Sequence, residues 1–112
     1  MSLYERLEDL DDRTRSRLDD ALMADEAFLV GARATDGLLA RWCTRVVVTT
    51  HRVLEIRHVG LDWSLEGHRR ERIHDARPSG DGTRLLFEAG LDEVEYAFED
   101  ATTVDRLLTE LA

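Results

Sequence analysis

The connections between extended segments decide the topology of this chain. From Ala27 to Phe98 one β-prone run follows another with few residues between them. A parallel pair needs a crossover of about a dozen residues or more, so sequence neighbours are predicted to pair antiparallel. The first run, Ala27 to Arg33, ends at Asp36-Gly37, a dipeptide suited to a tight turn. The second, Leu38 to Thr49, carries Val46-Val47-Val48, whose β-branched side chains fit a pleated surface. Thr50-His51-Arg52 turns the chain into Val53 to Arg57, and Val59-Gly60 breaks that strand. In a fourth run Trp63 and Leu65 alternate with Asp62, Ser64 and Glu66. Gly67 to Arg77 is polar with Ile73 as its anchor, and Pro78 to Gly82 closes it with loop chemistry. Thr83 to Glu88 follows. Then Val94, Tyr96 and Phe98 alternate with Glu93, Glu95, Ala97 and Glu99, which gives one apolar face and one acidic face.

Helical spacing flanks this β region. Leu3, Leu7 and Leu10, then Leu18, Ala21 and Leu22, predict an amphipathic helix from Ser2 to about Met23, in two pieces broken near Asp11-Asp12. Ser2 with Glu5 is the expected cap of the first piece and Asp12 of the second. The apolar stripe is narrow, so this segment has to lie on the rest of the domain or on another subunit. At the far end, Asp100 caps a helix whose Val104, Leu107, Leu108 and Leu111 fall at i, i+3, i+4 and i+7. Two helices cannot cover a flat seven-stranded sheet. The expected fold is therefore mainly β: an antiparallel sheet of seven strands bent into a barrel or two layers. The last helix plugs one open end of it. Residues 1–24 form a helical extension and residues 25–112 the domain proper.

Several short motifs carry a resemblance. Asp25-Glu26-Ala27-Phe28-Leu29 resembles the "gE-x-v-l" start of bacterial PH-like (pleckstrin-homology-like) domains, and Val47 to Leu54 resembles their "v-l-T-x-x-R-l-l" joint. Ile73 sits where that family has an "I-x-x-I" strand, with Ala76 in place of the second Ile. The resemblance covers roughly residues 25–112 and implies a PH-like fold. It implies no chemistry, because a fold does not fix a function.

Composition narrows the chemistry further. The chain has 112 residues, 24 of them acidic and 15 basic, for a net charge of −9, and every basic residue is Arg. Such a balance repels nucleic acid and anionic membrane, so neither is an expected partner. No run approaches the roughly 18 apolar residues of a membrane span, and the N-terminus lacks the pattern of a signal peptide, so a cytoplasmic protein is expected. Cys43 is the only cysteine and reads as an inert thiol in a strand. No metal, cofactor or catalytic residue is expected. His51, His58, His68 and His74 lack the i, i+4 spacing of a zinc site, and no nucleophile elbow or phosphate loop occurs.

What remains is binding. The one basic patch is His68, Arg69, Arg70, Arg72 and His74; strand alternation would put His68, Arg70, Arg72 and His74 on one face. Arg69 and Arg77 would then pair with Glu71 and Asp75 on the other, and the patch would neutralise acidic neighbours such as Glu93 and Glu95. Arg33 and Arg41 form a second, sparser candidate where PH domains bind headgroups. Two arginines contribute about 1 kcal/mol each against a surface, too little for stable membrane association. The expected function is a non-catalytic protein-interaction or self-assembly module. A peptide would add to the edge near Ile73, and residues 1–22 would carry docking or homo-oligomer contacts. The alternative is an anion, small-ligand or lipid-headgroup site on the Arg70/Arg72 face. The Lys-free acidic composition fits either a GC-rich genome or adaptation to high salt. Thermal melts separate these: equal melting temperatures in dilute buffer and molar KCl assign it to the genome, and a marked rise in salt assigns it to adaptation.

Overall fold

The computed structural model describes residues 3–35, 43–59 and 61–112. Within them the chain is mainly β, with eight strands in two antiparallel sheets and two α-helices. The five-stranded sheet has the order β1 (Leu3–Tyr4), β2 (Phe28–Ala34), β3 (Cys43–Thr49), β4 (Arg52–Val59) and β5 (Asp62–Arg69). The three-stranded sheet has the order β6 (Ile73–Pro78), β7 (Arg84–Ala89) and β8 (Asp92–Ala97). The sheets meet where the Thr35 N–H donates to the Ala97 carbonyl at 2.8 Å. Helix α1 (Asp12–Ala21) precedes β2, and helix α2 (Ala101–Leu111) follows β8.

The valine run of β3 is explained by burial on both sides. Val46, Val48 and Val53 point into the main core with Leu85, Phe87, Tyr96, Val104 and Leu107, between the two sheets and α2. Val47, Leu54 and Ile56 point the other way, into a second cluster with Leu10 and Leu18 of the N-terminal segment. A strand covered on both faces has no use for polar alternation. The alternation of β8 is retained because only its inner face is covered: Tyr96 is buried, while Glu93 and Glu95 are exposed. Asp100 caps α2 by accepting from the Thr103 N–H at 2.8 Å, as the spacing predicts.

One buried ion pair organises the corner where these layers meet. The Glu26 carboxylate precedes β2 and has no exposed side-chain surface. Arg52, the first residue of β4, grips it with two donors: Nε to Oε2 at 2.9 Å and Nη2 to Oε1 at 2.6 Å. The Thr49 hydroxyl donates to the same carboxylate at 2.5 Å and accepts from the N–H groups of His51 and Arg52, which fixes the β3–β4 turn. The Met23 N–H donates to Glu26, and Arg52 donates to the Ala21 carbonyl at the end of α1. Bidentate charge-assisted bonds of this kind are the strong ones.

The N-terminal segment differs from its expected form. Its first piece is not an amphipathic helix: Leu3–Tyr4 pairs with Gly31 and Ala32 as an edge strand, and Leu7–Asp9 is a single 3-10 turn. Backbone bonding to β2 outweighs the leucine spacing there. The break near Asp11 is present, but the cap of α1 is Asp11, which accepts from the Thr14 N–H, rather than Asp12. With strand β1 the described residues hold eight strands, against the seven expected. The unphased stretch from Gly67 to Arg77 resolves into the end of β5, a 3-10 turn at Arg70–Arg72 and most of β6. The expected Ser2 cap, the Asp36-Gly37 turn, positions 38–42 of the second strand, Gly60 and the Cys43 side chain lie outside the described residues.

Arg52 is the first cause of the Glu26 shift: its bonds hold the carboxyl at about 2, against an ordinary 4.5, while burial works in the opposite direction. A depressed folded-state pKa stabilises the fold above the unfolded value and loses that contribution as pH falls toward the folded one. Acid titration of stability should therefore lose roughly 3 kcal/mol between pH 4.5 and about 2 from this group. Glu26→Gln should lower stability by about 3 kcal/mol at neutral pH by leaving Arg52 without its counter-charge, and should flatten that acid limb. Denaturant melts at several pH values provide the check.

Candidate functional site

The basic patch does not assemble as one face. The 3-10 turn at Arg70–Arg72 interrupts the strand, so the two-residue alternation that would align His68, Arg70, Arg72 and His74 is lost. Arg70 turns inward to the fold's own backbone. Its guanidinium donates to the Thr49 carbonyl at 3.1 Å and to the Glu110 carbonyl at 2.7 Å, bracing the β3–β4 turn against the last turn of α2. A cation suits those helix-end carbonyls. His74 is exposed on β6 opposite Glu88. The flanking pairs form as expected: Arg69 with Glu71 at 3.6 Å, and Arg77 with Asp75 at 2.9 Å. Arg77 also lies 3.8 Å from Glu93, whereas Glu95 is paired with Arg84.

Three members of the patch do converge. His68, Arg69 and Arg72 line an open cleft of about 480 Å³ between the end of β5 and the β7–β8 turn, with Asp92 on its wall. The His68 ring sits edge-on to Phe87 at 5.6 Å. Arg72 has no ion pair or hydrogen bond among the described residues. An anion entering this cleft would meet one guanidinium already shared with Glu71, one unshared, and an opposing carboxylate. Of the second candidate, Arg33 is exposed on β2 and Arg41 lies outside the described residues.

A second polar cluster underlies α1. His58 of β4 stacks on Trp63 of β5 at 5.7 Å and 12°, and the Arg17 guanidinium lies 4.1 Å from the Trp63 ring. The Thr14 hydroxyl is 3.4 Å from His58 Nε2, and Asp11 pairs with Arg45 at 3.4 Å. Burial, then the nearby charges of Arg13 and Arg45, push the His58 ring below its usual 6.5, with Asp11 opposing them. Sequence reading passed over this cluster because its parts come from α1, β3, β4 and β5. The Glu26–Thr49–Arg52 pin was visible only as two separate motifs.

The two sheets expose edges of different quality. Strand β5 pairs with β4 one-to-one from Arg52–Arg69 to Val59–Asp62, with no register shift, and among the described residues no strand lies on its other side. Strand β6, the edge expected near Ile73, shifts register between His74 and Arg77, carries Asp75 at φ 56° and ends on Pro78. A bulge, a left-handed non-glycine residue and a proline blunt an edge against an added strand.

Among the described residues, no three His, Cys, Asp or Glu side chains are placed to hold a metal ion. No described helix is long and apolar enough to cross a membrane. The Asp81 carboxylate is held within its own turn by the Ser79 and Thr83 hydroxyls and the Thr83 N–H.

Because His58 has a lowered folded-state pKa, the unfolded chain binds the extra proton first. Stability should fall as pH drops below 6.5 and level off once the folded ring is protonated. His58→Gln should remove that slope in melts between neutral and mildly acidic pH. No protein-family model, curated protein or solved structure matches this chain.

Proposed function

We propose that this chain is a non-catalytic, cytoplasmic protein-interaction and self-assembly module of PH-like architecture, which takes its partner as a strand added to β5. Two antiparallel sheets around one core, followed by a C-terminal helix, support the PH-like reading, as do the Glu26 and Thr49–Arg52 motifs. The observation that carries the interaction reading is the β5 edge: eight residues in unbroken register, without proline, facing no other strand among the described residues. Main-chain groups on such an edge supply affinity, and alternate side chains supply selectivity.

The arginines support a scaffold over a binder of anions. Arg52 and Arg70 are committed to internal partners, and Arg77 and Arg84 to surface carboxylates. Arg72 is the group that an anion-binding function would have to use.

Peptides selected from a random displayed library against the folded domain should perturb the amide resonances of Asp62 to Arg69. Their binding should survive Arg72→Ala. Selected peptides that shift the cleft or α2 instead, and lose binding in Arg72→Ala, would overturn this function in favour of the anion site.

A further inference from the structure

We infer that the strand seated on β5 is the β5 of a second copy of this chain, paired antiparallel about a two-fold axis at Leu65. The inference rests on reading β5 as the strand acceptor and adds the identity and register of the occupant.

A two-fold axis normal to a sheet keeps each face on its own side, so residues facing each other across it differ by an even number. Register with β4 places Trp63, Leu65 and Gly67 beside His58, Ile56 and Leu54, on the face covered by α1. Trp63 and Leu65 remain half-buried at the margin of that apolar cluster. Centring the pair on Leu65 sets that leucine against the partner's Leu65 and Trp63 against the partner's Gly67. A Cβ at Gly67 would lie 3.0 Å from the Leu54 methyl and 3.4 Å from the Arg52 side chain, so a side chain there would crowd both. The exposed Gly67 backbone, flanked by Leu54 and the Arg52 side chain, is where an aromatic ring from the adjoining strand would lie. The small cluster beneath α1 would then continue across the interface.

The opposite face tolerates the same register. Asp62 falls across from the partner's His68 and Ser64 across from the partner's Glu66, with no like charges opposed. Centring on Glu66 would set two carboxylates face to face, and centring on Ser64 would oppose Asp62 to the partner's Glu66. Like charges directly opposite destabilise a strand pair. Strand β6 could not pair in this way, because its bulge and Pro78 interrupt the edge.

Light scattering of the full chain should give twice the 12.8 kDa mass at high concentration and fall toward 12.8 kDa on dilution. In a Cys43→Ala background, Leu65→Cys should form an intermolecular disulfide several-fold faster than Glu66→Cys. Faster cross-linking through Glu66→Cys would overturn the register. A mass of 12.8 kDa at every concentration, with no preference between the two cysteines, would overturn the self-pairing. If displayed peptides still map to β5 in that case, the acceptor reading stands without the second copy; if they do not, both fall.

Discussion

The buried carboxylate of Glu26 ties together four parts of the molecule that are distant in sequence. Through Arg52 it holds the start of β4, through Thr49 the end of β3, through Met23 the chain leaving α1, and it leads into β2 itself. Removing a charge from water costs several kcal/mol, and this pair offsets that cost only because every lone pair in reach is used. The geometry is correspondingly demanding. A shift of the β3–β4 turn would break the Thr49 bonds to His51 and Arg52 and expose the carboxylate together. Arg70 reinforces the same turn from the side of α2.

Fixing that corner lets one sheet serve two cores. The inner faces of both sheets close over the main core, with α2 packed against it. The outer face of the five-stranded sheet would be an exposed apolar patch were it not covered by Leu10 and Leu18 of the N-terminal segment. That cover is held at several points: Glu5 to Arg106, Asp11 to Arg45, and the Ala21 carbonyl to Arg52. Cover ends at the β5 margin, where Trp63 and Leu65 stay half-exposed. The arrangement thus leaves a regular edge and an unfinished apolar cluster at the same place.

Periodic features were readable in the residues, and convergent ones were not. Val94, Tyr96 and Phe98 mark an inner face, and the Asp100 cap with Val104, Leu107, Leu108 and Leu111 marks the closing helix, because each depends on local spacing. The leucines at 3, 7 and 10 misled, since a strand partner outweighs helical spacing for so short a piece. Positions 68–74 read as one strand face, but a 3-10 turn directs Arg70 inward, and alternation holds only while the strand continues. Glu26 and Thr49–Arg52 stood out as motifs. Their mutual contact is a tertiary fact, and it gives both a structural role. The β5 edge is also tertiary: Trp63 and Leu65 identify the strand, and only the order of the sheet shows that no described strand pairs beside it.

Hydrogen exchange at single amides tests the organising role of the corner most directly. The N–H groups of Met23, His51 and Arg52 bond to Glu26 or Thr49 side chains rather than to a strand ladder. Turn amides of that kind ordinarily exchange through low-energy local openings. If the Glu26 pin holds the fold together, these three should exchange only with global unfolding, at the same free energy as Val47 and Val48 in β3. Exchange of the three through openings far below that energy, with the β3 amides still protected, would contradict the account.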